Sequence, residues 1–186
     1  MQLAKKNLRK KIKEEVQLLS AEVRQQKSQE VSEKVFKFLK ETGTDSCVIG
    51  GYAPMHDEAI WYLGPMQSLE SHFAFPTAKD SHLIFKKCSL MDLKEGQEFG
   101  VSLKIPPESA LEVSPAVLLV PALAYSKEGK RLGRGKGYYD RYLKNFKGVT
   151  VGICFEEQIA QDIATEEHDQ MVQNIITDKS IINIKG

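Results

Sequence analysis

The sequence predicts an α/β protein: a single three-layer domain spanning residues 1–186, with a mainly parallel sheet covered by helices on both faces. Three observations predict it. Short, nearly continuous apolar runs recur along the chain, as strands buried on both faces do. Segments with apolar residues at helical spacing stand between them, and this alternation implies right-handed crossovers. The length of 186 residues suits one domain.

The elements follow in order. Leu8, Ile12, Val16 and Leu19 recur at helical spacing over residues 3–19, among lysines and glutamates. Ser20 is placed to cap a second helix, which carries Val31, Val35, Phe38 and Leu39 and stops near Gly43. Residues 47–53, closed by Pro54, read as a buried strand, and residues 57–63 as a short helix. Two strands at residues 73–76 and 83–85 flank a polar turn. Residues 90–115 are rich in glycine and proline and read as a long surface connection holding a strand or two. Residues 116–120 form the strongest strand, ended by Pro121. A glycine-rich basic loop comes next, then a helix over 138–146, a strand over 149–155, a helix over 156–164 and a last strand over 172–177. No internal repeat or low-complexity tract interrupts this order.

Composition narrows the function. Lysine plus arginine number 26 against 25 aspartates and glutamates, a net charge of +1. A nucleic-acid binder usually carries a strong basic excess, so that class is disfavoured, although a local anion site is not. The three cysteines, Cys47, Cys88 and Cys154, are far apart and form no C-x-x-C; they read as reduced thiols of a cytoplasmic protein. The longest apolar run, residues 116–124, is too short to span a bilayer and contains Pro121. A cytoplasmic protein with no nucleic-acid or membrane partner is expected, working as a monomer.

The informative segment is residues 127–141, where Gly129, Gly133, Gly135 and Gly137 stand among Lys127, Lys130, Arg131, Arg134, Lys136 and Arg141. It leaves the C-terminal end of the strongest strand and enters a helix. Glycine lets backbone approach a phosphate and adopt positive φ. N–H groups at a helix start favour an anion. Arg131 and Arg134 offer forked donors and Lys136 a compact charge. A solvated basic loop is the alternative, and position after a buried strand favours the anion site. The segment is not a Walker A loop, because Gly137 follows Lys136, and not a dinucleotide fingerprint, because Tyr138 replaces its last glycine.

Other residues carry two readings each. Lys5 and Arg9 share a helix face one turn apart; like charges there cost a few tenths of a kcal/mol, which an anion between them would remove. Glu58 follows the strand at 47–53 and suits either the ligand crevice or a helix start. Asp140 suits a helix dipole or a partner for Arg131, and Asp169 a loop carboxylate. His56 and His168 receive no catalytic role.

The run Val120-Pro121-Ala122-Leu123-Ala124-Tyr125, followed by residues 129–141 (GKRLGRGKGYYDR), resembles the signature of the 5-formyltetrahydrofolate cyclo-ligase family. The order of weaker features extends the resemblance over nearly the whole chain. It implies ATP- and magnesium-dependent conversion of 5-formyltetrahydrofolate to 5,10-methenyltetrahydrofolate, with ADP and phosphate released. It implies ATP contacts from Lys5, Arg9, Arg131, Leu132, Gly133, Arg134, Gly135, Lys136, Gly137, Tyr138 and Tyr139. It implies folate contacts from Ala53, Glu58, Arg134, Gly135, Lys136, Gly137 and Tyr138. Asp140 and Asp169 would bind magnesium, and Arg134 and Lys136 would be catalytic. Ala122, Ser126, Ala164 and Gln173 depart from residues frequent in the family. Those departures leave room for a folate- or nucleotide-binding module of this fold without catalysis. A sugar-phosphate isomerase-like or CoA-handling enzyme is a third reading; it needs neither ATP nor magnesium.

Overall fold

The computed structural model describes residues 2–80, 82–98, 100–166 and 169–184. Helices α1 (Gln2–Gln17) and α2 (Ala21–Glu41) come first. The expected cap between them is present: the Ser20 Oγ accepts the Val23 N–H at 3.2 Å. Gly43, at φ 66°, ends the turn beyond α2. Then follow β1 (Ile49–Gly50), β2 (Phe73–Lys79), β3 (His82–Lys87), β4 (Lys94–Glu98), β5 (Val101–Ile105), β6 (Glu112–Val113) and β7 (Val117–Pro121). Next are β8 (Ala124–Ser126), β9 (Arg131–Leu132), α3 (Tyr138–Leu143), β10 (Val149–Ile153), β11 (Ile159–Ala160), β12 (Asn174–Ile176) and β13 (Ile181–Asn183).

Among the described residues, eight strands form one sheet in the order β13-β12-β10-β7-β1-β2-β3-β6. Its centre, from β12 to β2, is parallel. Its margins, β13 on one side and β3 and β6 on the other, are antiparallel. The sheet is therefore mixed and mostly parallel.

Strand alternation divides the core. Val117 and Leu119 of β7 pack with Phe73 and Phe75 of β2 and with Ile12, Val16, Val31 and Val35 of α1 and α2. The intervening Leu118 and Val120 pack on the opposite face with Leu143 of α3 and Tyr125 of β8. Three layers result, the second outer layer being thin, formed by α3; the small sheet β11-β8-β9 contributes to both clusters, with Ala124 and Leu132 in the first and Tyr125 in the second. Gly51 has no room for a side chain, since a Cβ there would lie 2.0 Å from the Trp61 ring. No helix among the described residues is long and apolar enough to cross a membrane.

Two expected helices are absent. Residues 57–63 turn and run extended, followed by a 3₁₀ helix at Gly64–His72. Tertiary bonds displace the helix: the Ile60 N–H donates to Ser28 Oγ at 3.1 Å, and Ser32 Oγ–H donates to the Ile60 carbonyl at 2.9 Å. In place of a helix at 156–164 stand a 3₁₀ turn, Glu156–Gln158, and β11. There Gln158 Nε2 donates to the carbonyls of Ala122 and Leu123, at 3.3 and 3.1 Å. The strand at 47–53 is reduced to β1 and the last expected strand to β12. The helix over 138–146 ends early, at Leu143.

Candidate active site

The loop beyond β9 lies beside the C-terminal end of β7 because a hairpin brings it back. Ser126 N–H donates to the Lys130 carbonyl at 2.9 Å, and Gly129 closes the turn at φ 87°. Leu123 N–H then donates to the Leu132 carbonyl at 2.9 Å, which pins the loop's start. Gly135 and Gly137 take φ 94° and 70°, values that L side chains rarely adopt, and Gly137 leads into α3.

Two cavities, of about 590 and 500 Å³, meet at this loop. Arg131, Gly133, Gly135, Gly137 and Asp140 border both. One wall thus serves two chambers.

The first cavity is cationic on one side and acidic on the other. Lys5 and Arg9 reach it from α1. The Lys5 Nζ lies 2.6 Å from Asp169 Oδ2 and 3.3 Å from Glu166 Oε2. The Arg9 Nε donates to the Gly133 carbonyl at 3.0 Å. Arg131 is buried in an ion pair with Asp140, and its Nε has no hydrogen-bond partner among the described residues. Gln170 N–H approaches Asp140 Oδ1 at 3.5 Å, so Asp140 and Asp169 belong to one acidic corner. Leu132 completes the lining.

The second cavity is more apolar. Ala53, Glu58, Tyr138, Tyr139, Arg134 and Lys136 line it, with Val101 and Leu103 of β5 opposite. Glu58 is fixed by its own turn: Met55 N–H donates to Oε2 at 2.9 Å, and Glu58 N–H donates to the Met55 carbonyl at 3.0 Å. Arg134 Nη2 bridges Asp57 Oδ1 at 2.5 Å and Glu58 Oε1 at 2.8 Å. Burial raises the Glu58 carboxyl above the ordinary glutamate value, and the Arg134 charge only partly opposes this. Burial also works against Asp57, but hydrogen bonds and charge from Arg134 more than offset it and hold that carboxyl low. Burial raises the Tyr139 hydroxyl, which has no hydrogen-bond partner among the described residues.

The structure thus brings Lys5, Arg9, Arg131, Leu132, Gly133, Gly135, Gly137, Asp140 and Asp169 to one cavity. Arg134, Lys136, Tyr138 and Tyr139, expected at ATP, line the other cavity and not this one. His168 lies outside the described residues. Among those described, no group of three or more His, Cys, Asp or Glu side chains could hold a metal. The Asp140–Asp169 corner nevertheless suits a magnesium ion that takes its remaining ligands from phosphate and water.

Of the departures from the family pattern, Ala122 lines the second cavity. Ser126 Oγ accepts the Glu128 N–H at 3.3 Å in the hairpin turn. Gln173 Oε1 accepts the Thr150 N–H at 2.9 Å. Ser126, Ala164 and Gln173 border neither cavity. Sequence reasoning missed Asp57, and it expected a strand or two within residues 90–115 without pairing them as the β4–β5 hairpin or placing β5 at the site. The alternation of Val101, Leu103 and Ile105 after Gly100 was a usable strand signal for β5.

Comparison with known proteins gives the same answer at three levels. The NMR structure of the Aquifex aeolicus 5,10-methenyltetrahydrofolate synthetase superposes with a TM-score of 0.79 at 26% identity, covering 98% of this chain and 93% of that one. The 5-formyltetrahydrofolate cyclo-ligase of Mus musculus is 28% identical over 199 residues, 95% of either chain. That of Saccharomyces cerevisiae is 33% identical over 123 residues, 59% of this chain and 57% of the relative. The profile of the 5-formyltetrahydrofolate cyclo-ligase family matches residues 1–178, and the chain belongs to that family.

Proposed function

We propose that the first cavity takes ATP, that the second takes 5-formyltetrahydrofolate, and that the reaction crosses the wall between them to yield 5,10-methenyltetrahydrofolate, ADP and phosphate. Cyclo-ligase activity and the use of ATP come with family membership; the residue roles are our assignment. The shared border of Arg131, Gly133, Gly135, Gly137 and Asp140 is the observation that carries it. A triphosphate on one side would end where a bound pterin begins.

The chemistry needs that adjacency. A formyl oxygen on nitrogen is a poor leaving group. Its attack on the γ-phosphorus forms a C–O–P linkage as the bond to ADP breaks. The neighbouring side-arm nitrogen then attacks the formyl carbon and gives up its proton. The C–O bond breaks and phosphate departs. No protein nucleophile is involved, so catalysis is positioning and charge stabilisation.

In this assignment Lys5, Arg9 and Arg131, with the backbone of Gly133, Gly135 and Gly137, hold the phosphates. Tyr138 and Tyr139 wall the pterin, Ala53 lines it, and Glu58 accepts its N–H groups. Arg134 and Lys136 neutralise charge on the transferring phosphoryl. Asp140 and Asp169 would hold magnesium, which supplies positive charge at the phosphate oxygens. The cations that pair with these two aspartates in the free protein, Arg131 and Lys5, stand where the phosphates would draw them away. A cytoplasmic monomer remains our proposal for its working form.

Growth of methenyl-product absorbance tests the reading. It should require both ATP and magnesium; product formed without ATP, or none with both present, overturns it. Lys136→Met should lower kcat by an amount equivalent to ~2–4 kcal/mol, with circular dichroism and melting temperature unchanged.

A further inference from the structure

Arg134 meets two carboxylates at once, and they hold it differently. Nη2 donates to Asp57 Oδ1 at 2.5 Å and to Glu58 Oε1 at 2.8 Å. Nη1 donates to Asp57 Oδ2 at 3.2 Å, and Nε to Glu58 Oε1 at 3.1 Å. A guanidinium has about five N–H donors, so these contacts leave one, on Nη1, for anything else. Asp57 takes both terminal nitrogens with its two oxygens, the fork-to-fork arrangement that fixes direction as well as charge. Glu58 offers one oxygen only, because its other oxygen is bound by Met55 N–H.

The two grips are unequal when a ligand arrives. A pterin's N–H groups compete for Glu58 Oε1, the atom that Arg134 uses. Asp57 is as buried as Glu58, at 5% against 7% exposed, and borders the same cavity; what sets it apart is that its two oxygens hold both terminal nitrogens of Arg134, a two-point grip that persists when Glu58 Oε1 is claimed. Gly133 and Gly135, on either side of Arg134, border both cavities. Arg134 thus stands on the stretch of wall that the two chambers share.

We infer that Asp57 is the positioning residue for Arg134: once the pterin takes Glu58 Oε1, the guanidinium stays hinged on Asp57 and turns its released Nε–H and Nη2–H toward the phosphoryl group. This rests on the reading of Glu58 as pterin acceptor and Arg134 as phosphoryl cation. Without Asp57 the free protein still holds Arg134 through Glu58, but the ligand-bound protein has no anchor for it. The loss falls on turnover and not on nucleotide binding.

Asp57→Asn, Arg134→Lys and the double variant test this, each with a melting curve and with activity counted per folded molecule. D57N should lower kcat about tenfold or more, the worth of one charge-assisted contact, and leave the KM for ATP within about threefold. In the R134K background, D57N should cost nothing further, because lysine cannot form the fork. An equal loss in both backgrounds would mean that Asp57 acts without Arg134, and the inference falls. It also falls if D57N keeps full kcat while R134K is impaired. If R134K itself keeps full kcat, the assigned role of Arg134 is wrong and the reading beneath the inference fails with it. Should D57N not fold, Asp57→Ser takes its place in the same cycle.

Discussion

Glu58 carries its charge in a poor place for one. Its side chain is 7% exposed, and burial raises its carboxyl above the usual range despite Arg134. The folded state thus binds this proton more tightly than the unfolded chain. Stability from Glu58 is full below the unfolded value and falls as pH rises through the window above it. Asp57 has the opposite sign: its depressed carboxyl contributes above the unfolded value, and that contribution is lost as pH falls through the folded value. Glu58→Gln should therefore gain stability relative to the parent as pH rises from about 4 to about 7, measured by urea unfolding. A constant difference over that range would show that burial does not govern this carboxyl. The same variant should raise the KM for folate about tenfold or more, since a charged acceptor is lost.

Helix α1 buries only Lys5, Ile12 and Val16, whereas α2 buries six residues. Its order depends on docking, with Lys5 and Arg9 as polar anchors. ATP with magnesium should slow amide exchange in α1 about tenfold or more and leave α2 unchanged; unaltered exchange in α1 would remove that helix from the nucleotide site. Both helices, the Ser20 cap, the central strands and the glycine loop were legible in the sequence, because each rests on a local pattern. Residues 57–63 and 156–164 were not. Their apolar spacing fits a helix equally well, and the decision was made by Ser28 and Ser32 of α2 and by Gln158 reaching carbonyls beyond β7. Of the candidate site, the phosphate loop was readable from its glycines. The Asp57 grip on Arg134 was not, because the two lie 77 positions apart and only the fold joins them.

Across the whole molecule, α2 is bolted to the C-terminal region through Asp178. Lys27 Nζ lies 2.6 Å from its Oδ2, and Glu156 N–H donates to its Oδ1 at 2.7 Å. Lys34 Nζ donates to the Asp178 carbonyl at 2.5 Å. Asp178 borders neither cavity. Asp178→Asn leaves Lys27 only the more exposed Glu157, 3.0 Å away, and should cost about 2 kcal/mol of unfolding free energy, with kcat per folded molecule unchanged. A loss below about 1 kcal/mol would mean that the pair behaves as a surface contact. The thin partition formed by residues 131–140 has a further consequence for inhibitor chemistry. A pteridine tethered to a phosphonate by a few atoms would sit astride it, and each half would hold the other at high effective concentration. Such a bisubstrate compound would resist displacement by either natural ligand alone, because neither one fills both rooms.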